Sequence, residues 1–187
     1  PEQAALVREA AELQRAIEAR SDANQVAALG KALGNHLLEA YPVPLAPVTV
    51  PDVKAAVAVY QANCASCHGV TGKGDGAAGA RLDPKPVAFT DTERARHRSV
   101  FALYQAISQG ISGTAMPAFT QLSDQDRWAV ATYLGRFSHS DAQRTKGQEV
   151  WQKDEPLRKE VRSLEAFVRL TEADLANKVG DERAGAA

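Results

Sequence analysis

The sequence predicts an all-α protein. Apolar residues recur at spacings of three and four in several segments, as they do on one face of an α-helix. Serine, threonine and aspartate stand at N-cap positions before several of these segments. No segment shows a convincing alternation of apolar and polar residues, which is the pattern of a half-buried strand. A chain of 187 residues can hold one domain of ordinary size, or a smaller domain with extensions.

The first part of the chain predicts an N-terminal helical extension, residues 1–50. Two sets of apolar residues with helical spacing are Leu6, Ala10, Leu13 and Ile17, then Val26, Leu29, Leu33 and Leu37. Ser21, Asp22 and Asn24 are expected to separate these two helices. A proline-rich connector follows at residues 41–47, where each proline disfavours helix in the residue before it. We therefore place a boundary near residue 50 and the next domain at residues 51–140.

The second domain begins with a helix that leads into a pair of cysteines. Asp52 is a candidate N-cap for this helix, which carries Tyr60. The helix runs into the sequence Cys64-Ala65-Ser66-Cys67-His68. Two thiols separated by two residues and followed at once by an imidazole are the pattern of covalent haem attachment. On one helical turn, Cys64 and Cys67 can add to the haem vinyl groups while His68 binds the iron. The sequence therefore predicts one covalent haem c.

The same cysteine spacing also occurs in redox dithiols and in zinc sites. Zinc requires two further ligands, and the remaining histidines, His36, His97 and His139, form no second paired motif. We expect these three to be surface or capping residues. A thioredoxin-like dithiol usually lies in a βαβ context, which this sequence lacks. The histidine directly after the second cysteine favours haem over both alternatives.

The chain has one methionine, Met116, in the segment Gly113-Thr114-Ala115-Met116-Pro117-Ala118-Phe119. Small residues and a proline predict a stiff loop here, between two helical patterns. Many methionines only fill protein cores, but this one is not on an apolar helix face. A thioether on the second face of a haem raises its reduction potential. We therefore predict His68 and Met116 as the two axial ligands of the iron.

Glycines and prolines dominate the segment after the cysteine motif. The stretch Gly69–Gly76 has no preceding strand and lacks the Walker spacing, so it predicts a flexible turn beside the haem rather than a phosphate-binding loop. Pro84 and Pro86 stiffen the loop that follows. Arg81 and Lys85 in this region are candidate partners for the haem propionates.

Two further helices complete the second domain. Ser99 is a candidate N-cap for a short helix that Gly110 ends. Ser123 and Asp126 form a capping-box-like start for another helix. The apolar residues of this last helix are Trp128, Ala131, Tyr133, Leu134 and Phe137. Its aromatic face is expected to pack on the helix that carries Tyr60.

Residues 141–187 predict a C-terminal helical extension. Its apolar residues at helical spacing are Leu157, Val161, Leu164 and Val168. Thr171 and Asp174 form a capping box for a final helix with Leu175 and Val179. The last three residues, 185–187, are expected to be disordered.

Charge and hydropathy restrict the partners. The formal net charge is −1 at pH 7, whereas nucleic-acid binding requires a basic surface, so we exclude nucleic acid. No apolar run is long enough to span a membrane. The sequence has no initiator methionine and no visible signal peptide, so Pro1 is expected to be a processed terminus or the start of an excised fragment. Covalent haem attachment implies a periplasmic or other extracytoplasmic location.

The order of elements over residues 52–140 resembles a class I cytochrome c. More narrowly, it resembles the cytochrome part of bacterial fusions between cytochrome c and an Ftr-type iron permease. The segments that carry this resemblance are Cys64–Gly69, Gly72–Gly76, Pro84–Phe89, Gly110–Phe119 and Asp126–Trp128. The resemblance implies a class I cytochrome c fold with additional flanking amphipathic helices at both ends. It also implies tethering to the inner membrane through a permease part that is absent from these residues.

These features predict an electron-transfer domain rather than an enzyme. The resemblance implies that a redox partner protein or ferrous iron supplies the electrons, and that iron oxidation serves uptake by the permease. One alternative is a haem enzyme, either a ferroxidase or peroxidase-like, which would need an open sixth position. Another is a generic periplasmic carrier whose flanking helices form a docking module. The stretch Arg8-Glu9-Ala10-Ala11-Glu12 matches the Arg-Glu-x-x-Glu pattern of such permeases, but we interpret it as a solvated charged face.

Overall fold

A computed structural model of the chain describes residues 2–41 and 45–180. All regular structure in these two ranges is helical and no strand occurs in them, which confirms the predicted all-α class. Residues 42–44 of the predicted connector, Pro1 and the tail predicted to be disordered, residues 185–187, lie outside the described residues.

The chain forms two compact units, Pro1–Pro44 and Leu45–Ala187. The first contains helices α1 (Glu2–Glu18) and α2 (Ala23–Ala40). The helices described in the second are α3 (Ala55–Asn63), α4 (Ala65–His68), α5 (Thr92–Arg96), α6 (Val100–Gln109), α7 (Asp124–Leu134), α8 (Asp141–Lys153), α9 (Glu155–Glu160), α10 (Leu164–Arg169) and α11 (Glu172–Val179). Short 3₁₀ turns lie at Ala77–Gly79 and Gly135–Ser138. The domain limits near residues 50 and 140 stay predictions.

The first unit is a helical hairpin. Asp22 is the N-cap of α2, and its carboxylate accepts hydrogen bonds from the N–H groups of Asn24 and Gln25 at 2.9 and 3.3 Å. Asn24 therefore lies inside α2, whereas the sequence pattern placed it between the helices. A hydrogen bond joins the two helices, with His36 Nδ1 2.8 Å from Glu9 Oε1. This contact gives Glu9, in the predicted charged face of α1, a structural partner.

Helix α3 starts at Ala55 with Lys54 at its N-cap position, two residues after the predicted N-cap, Asp52. The Asp52 carboxylate accepts hydrogen bonds from the N–H groups of Lys54 and Ala55 at 2.9 and 3.1 Å. Its carbonyl accepts a third, from the N–H of Ala56, at 3.1 Å. These bonds satisfy backbone donors that the first turn of a helix leaves without intrahelical partners.

The core of the second unit lies between α3, α6 and α7. Tyr60 of α3 and Val130 of α7 are completely buried, and Ile107 of α6 is buried as well. The ring of Tyr60 lies 5.6 Å from that of Tyr133 and 5.1 Å from that of Phe137, between centroids. The predicted packing of the aromatic face on the Tyr60 helix is therefore confirmed. Burying one large apolar side chain stabilises the fold by about 1.5–3 kcal/mol.

Serine caps begin α6 and α7, as predicted. The hydroxyl of Ser99 accepts a hydrogen bond from the N–H of Ala102 at 3.1 Å. The hydroxyl of Ser123 accepts one from the N–H of Asp126, also at 3.1 Å. Helix α6 ends at Gly110, whose φ of 72° is a backbone conformation that glycine tolerates best. These ends set the limits of the loop that carries Met116.

The C-terminal extension contains a helix that the apolar pattern does not predict. Helix α8 begins at a complete capping box formed by Ser140 and Gln143, which was the available sequence signal. The predicted capping box of Thr171 and Asp174 is confirmed at the start of α11.

The apolar residues from Leu157 to Val168 do not lie on one uninterrupted helix, because the chain forms α9 and α10 there. The chain leaves helical geometry at Val161. Ser163 then caps α10 by accepting a hydrogen bond from the N–H of Ala166 at 3.1 Å. A local side-chain cap therefore divides one amphipathic stretch into α9 and α10. Across the ranges 2–41 and 45–180, no helix combines the length and the apolar character that a bilayer span requires.

Candidate haem site

The four residues predicted to bind the haem line one cavity. Cys64, Cys67, His68 and Met116 face a space of about 680 Å³ in the second unit. This volume lies within the range of about 300–1,000 Å³ that is usual for small-molecule and cofactor sites. The structure thus brings a local cysteine motif together with a methionine from a distant loop.

The two cysteines present their thiols from one helical turn. Both are free of disulfide bonds. Burial, together with a smaller effect of the nearby Cys67 thiol, raises the pKa of the Cys64 thiol to about 11, so Cys64 stays protonated at neutral pH. The following turn approaches this helix closely at Gly76, where a Cβ atom would lie 2.3 Å from the carbonyl oxygen of Ser66. This geometry suits attachment of one planar group through two thioether bonds.

His68 has one ring nitrogen engaged and one available. Nδ1 lies 3.1 Å from the carbonyl oxygen of Val87, which can only accept, so Nδ1 carries the hydrogen. The ring stacks on Phe89 with 4.6 Å between centroids. Burial lowers the pKa of His68, and the hydrogen bond to Val87 opposes this effect in part. A neutral imidazole protonated at Nδ1 leaves Nε2 free to bind a metal ion in a fixed orientation.

Hydrogen bonds hold the turn that follows His68. The buried hydroxyl of Tyr60 donates to the carbonyl of Gly69 at 2.7 Å. The N–H of Gly74 donates to the carbonyl of His68 at 2.8 Å. Gly69, Gly72 and Gly74 have φ values of 80°, 71° and 73°, which place all three in the left-handed region. The glycine-rich stretch is therefore a turn beside the cavity, as predicted, and hydrogen bonds stabilise it.

Met116 lies in a loop between α6 and α7, as predicted. Its N–H donates to Thr114 Oγ1 at 3.1 Å. Its carbonyl accepts a hydrogen bond from the N–H of Ile111, also at 3.1 Å. Gly110 allows this tight path, because a Cβ atom there would lie 2.8 Å from the Met116 carbonyl oxygen. The loop thereby fixes the backbone of Met116 beside the cavity.

The basic side chains along the cavity differ in part from those predicted. Lys85 lines it, but Arg81 does not. Arg94 and Arg98 line it too, and neither guanidinium has a hydrogen-bond or ion-pair partner among the described residues. Their spacing of four residues was a signal in the sequence. Two unpartnered guanidinium groups fit a ligand with two carboxylates, and haem is such a ligand.

His139 lies closer to the cavity than the sequence indicates. Of the other histidines, His36 belongs to the first unit, and His97 Nε2 lies 3.4 Å from a carboxylate oxygen of Glu93. His139 lines the cavity, and its Nε2 is 3.9 Å from Glu172 Oε2. In the described part of the chain, no three His, Cys, Asp or Glu residues form a cluster that could hold a metal ion. His68 and Met116 supply an imidazole and a thioether to the cavity, a pair of donors that a haem iron takes in cytochromes c.

Comparison with known proteins finds one family model that matches part of this chain. Residues 51–134 match the family model described as cytochrome C oxidase, cbb3-type, subunit III. Among solved structures, a chain of the Kuenenia stuttgartiensis reducing HAO-like protein complex is similar, with 26% sequence identity and a TM-score of 0.46. The similarity covers 63% of the present chain and 62% of that chain, which is less than two thirds of its length. No curated protein sequence matches the chain significantly.

Proposed function

We propose that the chain transfers electrons through one covalently bound haem c, and the match of residues 51–134 to a cytochrome family model supports this proposal. The observation that carries the proposal is the shared cavity of Cys64, Cys67, His68 and Met116. The orientation of the His68 ring by Val87 supports it as well.

Each residue has a limited role in this proposal. Cys64 and Cys67 would attach the haem through thioether bonds, and His68 Nε2 and the Met116 sulfur would bind its iron. Bound haem supplies one-electron chemistry, because its iron is stable in both the ferric and the ferrous state. With both His68 and Met116 bound to the iron, no coordination position would remain open for a substrate. For this reason we propose a carrier rather than a haem enzyme.

The remaining cavity residues bind and shield the same group. Arg94, Arg98 and Lys85 pair with the haem propionates, because guanidinium and ammonium groups bind carboxylates. Leu103 and Ile107 of α6 form part of the apolar wall and exclude water. Water exclusion and the charges around a haem both change its reduction potential.

The more specific part of the proposal concerns iron and location. The motif segments Cys64–Gly69 and Gly110–Phe119 resemble the haem region of cytochrome c and iron permease fusions. This resemblance supports ferrous iron as the electron source, an extracytoplasmic location and a membrane permease as the partner. The described residues contain no metal-binding cluster of three or more ligands. In our proposal, ferrous iron therefore donates its electron by encounter at the protein surface.

Pyridine haemochrome spectroscopy tests the haem. Protein made in a host that attaches haem c is expected to show the covalent haem band at one haem per chain. The double variant Cys64→Ala/Cys67→Ala should lose this band, whereas Ser66→Ala, between the two cysteines, should keep it. A wild-type protein without the band would refute the proposal.

Anaerobic mixing of the ferric protein with ferrous iron tests the electron source. We expect haem reduction, followed optically, within minutes. If ascorbate reduces the same sample and ferrous iron does not, the iron part of the proposal is wrong and a general electron carrier remains.

A further inference from the structure

The C-terminal extension contributes to the wall of the haem cavity. Phe167 of α10 and Glu172 of α11 line the same space as His68 and Met116. The segment that matches the cytochrome family model ends at residue 134, so the family pattern gives these two residues no role.

Packing and charge hold this part of the extension in place. Helix α10 packs on α6, and α11 packs on α5. Val168, next to Phe167, is completely buried. The carboxylate of Glu172 bridges two other segments, with Oε1 3.4 Å from Arg96 Nε and Oε2 3.9 Å from His139 Nε2. The extension is therefore fixed beside the cavity from two sides.

Phe167 keeps 43% of its surface exposed, although Val168 beside it has none exposed. A ligand that covers an exposed aromatic ring on a cavity wall removes apolar surface from water, and this stabilises the complex. We propose that Phe167 covers one edge of the haem, and that the Arg96–Glu172–His139 bridge keeps α10 in that position. This inference rests on the proposed haem site and gives the C-terminal extension a part in it.

The expected effect of this cover is on the reduction potential. Water near a haem stabilises the ferric state, which carries one more positive charge than the ferrous state. Phe167 excludes water from the edge that it covers and thereby favours the ferrous state. Removal of its ring should lower the potential and make the haem more accessible to solvent.

The variant Phe167→Ala in the full-length holoprotein tests this, with Trp151→Ala as the matched control. Trp151 is an aromatic residue of the same extension, 38% exposed, but it does not line the haem cavity. The measurements are the midpoint potential and the change in the Soret band on adding ethylene glycol, which reports haem exposure. We expect Phe167→Ala to lower the potential and enlarge the Soret change, and Trp151→Ala to alter neither.

Removal of the Glu172 carboxylate should allow Phe167 of α10 to move away from the haem edge. Here the Soret change alone is the measurement, because removal of a charge shifts the potential by itself. We expect Glu172→Ala to enlarge the Soret change and Glu165→Ala to leave it unaltered, since Glu165 pairs with Arg169 within α10.

The outcomes separate this inference from the proposed function. Wild-type protein that contains no covalent haem refutes the function itself. If haem-loaded Phe167→Ala has the wild-type potential and the wild-type Soret change, only the inference that Phe167 covers the haem edge is wrong. If the Soret change increases in Phe167→Ala but not in Glu172→Ala, the proposed role of the Arg96–Glu172–His139 bridge is wrong.

Discussion

The Nδ1 atom of His68 lies 3.1 Å from the carbonyl oxygen of Val87, which is 19 residues further along the chain. This hydrogen bond links the cysteine motif to the proline-containing loop and fixes the rotation of the imidazole. A histidine whose second nitrogen donates to a carbonyl is a better oriented and more basic metal ligand. One backbone oxygen thus determines which nitrogen of His68 faces the cavity.

Replacement of the only methionine should change the colour and the potential of the protein. Met116→Ala removes the proposed thioether ligand, so we expect the weak sulfur-to-iron band at the red end of the ferric spectrum to disappear. The midpoint potential should fall, on the order of 0.1 V, because a thioether favours the ferrous state. The control is Ile111→Ala, a cavity residue with 46% exposure, which should keep the band. A band that survives in Met116→Ala would exclude this ligand.

Removal of the cavity arginines should lower the reduction potential. Arg94→Gln and Arg98→Gln each delete a positive charge beside the proposed propionates, and a positive charge favours the less positive ferrous state. We expect each substitution to lower the reduction potential by the equivalent of less than about 1 kcal/mol, because solvent screens exposed charges. Arg81→Gln removes the same charge from a residue that does not line the cavity and should shift the potential least. Equal shifts in all three variants would argue against propionate binding.

Two glycines near Met116 should differ in their tolerance of alanine. Gly110 and Gly113 both have positive φ, of 72° and 77°, so alanine at either position is expected to cost about 1 kcal/mol of stability. A Cβ at Gly110 would also lie 2.8 Å from three backbone atoms, whereas at Gly113 it would meet open space. We expect Gly110→Ala to unfold at clearly lower guanidinium concentration and to lose the Met116 band. Similar midpoints for the two variants would contradict the described loop.

The hydroxyl of Tyr60 should stabilise the turn after His68. The carbonyl of Gly69 accepts from the Tyr60 hydroxyl at 2.7 Å and from the N–H of Gly72 at 3.1 Å, so Tyr60→Phe removes one of two donors. We expect this loss to cost about 0.5–1.5 kcal/mol of unfolding free energy. Tyr104→Phe is the control, because its hydroxyl bonds to the exposed carboxylate of Asp124. The control should lose less stability in guanidinium unfolding at neutral pH.

The stability effect of Tyr60 should also depend on pH. Burial raises the pKa of Tyr60 in the folded state, so its hydroxyl stays protonated where an unfolded tyrosine ionises. The folded state then binds more protons than the unfolded state, and stability decreases as pH rises above about 10. Unfolding free energies of wild type and Tyr60→Phe should therefore converge above that pH. A constant difference from neutral to alkaline pH would contradict this assignment.

Local chemistry in the sequence predicted most of the candidate site. The five-residue motif at positions 64–68 contains Cys64, Cys67 and His68, and Met116 is the only methionine of the sequence. The motif and the methionine could therefore be identified without knowledge of the fold. Helix starts at Ser99 and Ser123 could be predicted for the same reason, because a cap depends on residues only three positions apart.

Contacts between distant segments could not be predicted in this way. The hydrogen-bond partner of His68 is the backbone carbonyl of Val87. Every residue has such a carbonyl, so the sequence does not indicate which one His68 contacts. The spacing of Arg94 and Arg98 is visible in the sequence, but Arg96 lies between them in the same basic run. Only the structure shows that Arg96 contacts Glu172 while the other two line the cavity. Phe167 resembles any other apolar helix residue until α10 is placed on α6.

A row of aromatic rings extends from His68 into the core. The imidazole stacks on Phe89, Phe89 lies 6.2 Å from Phe137, and Phe137 lies 5.1 Å from Tyr60, between ring centroids. Rings in contact within a close-packed interior cannot shift independently of one another. A ligand held in this way should move little when the charge on its metal changes, so the reorganisation energy of each electron exchange is expected to be small. The distance to the redox partner, rather than rearrangement around His68, would then limit the rate of transfer.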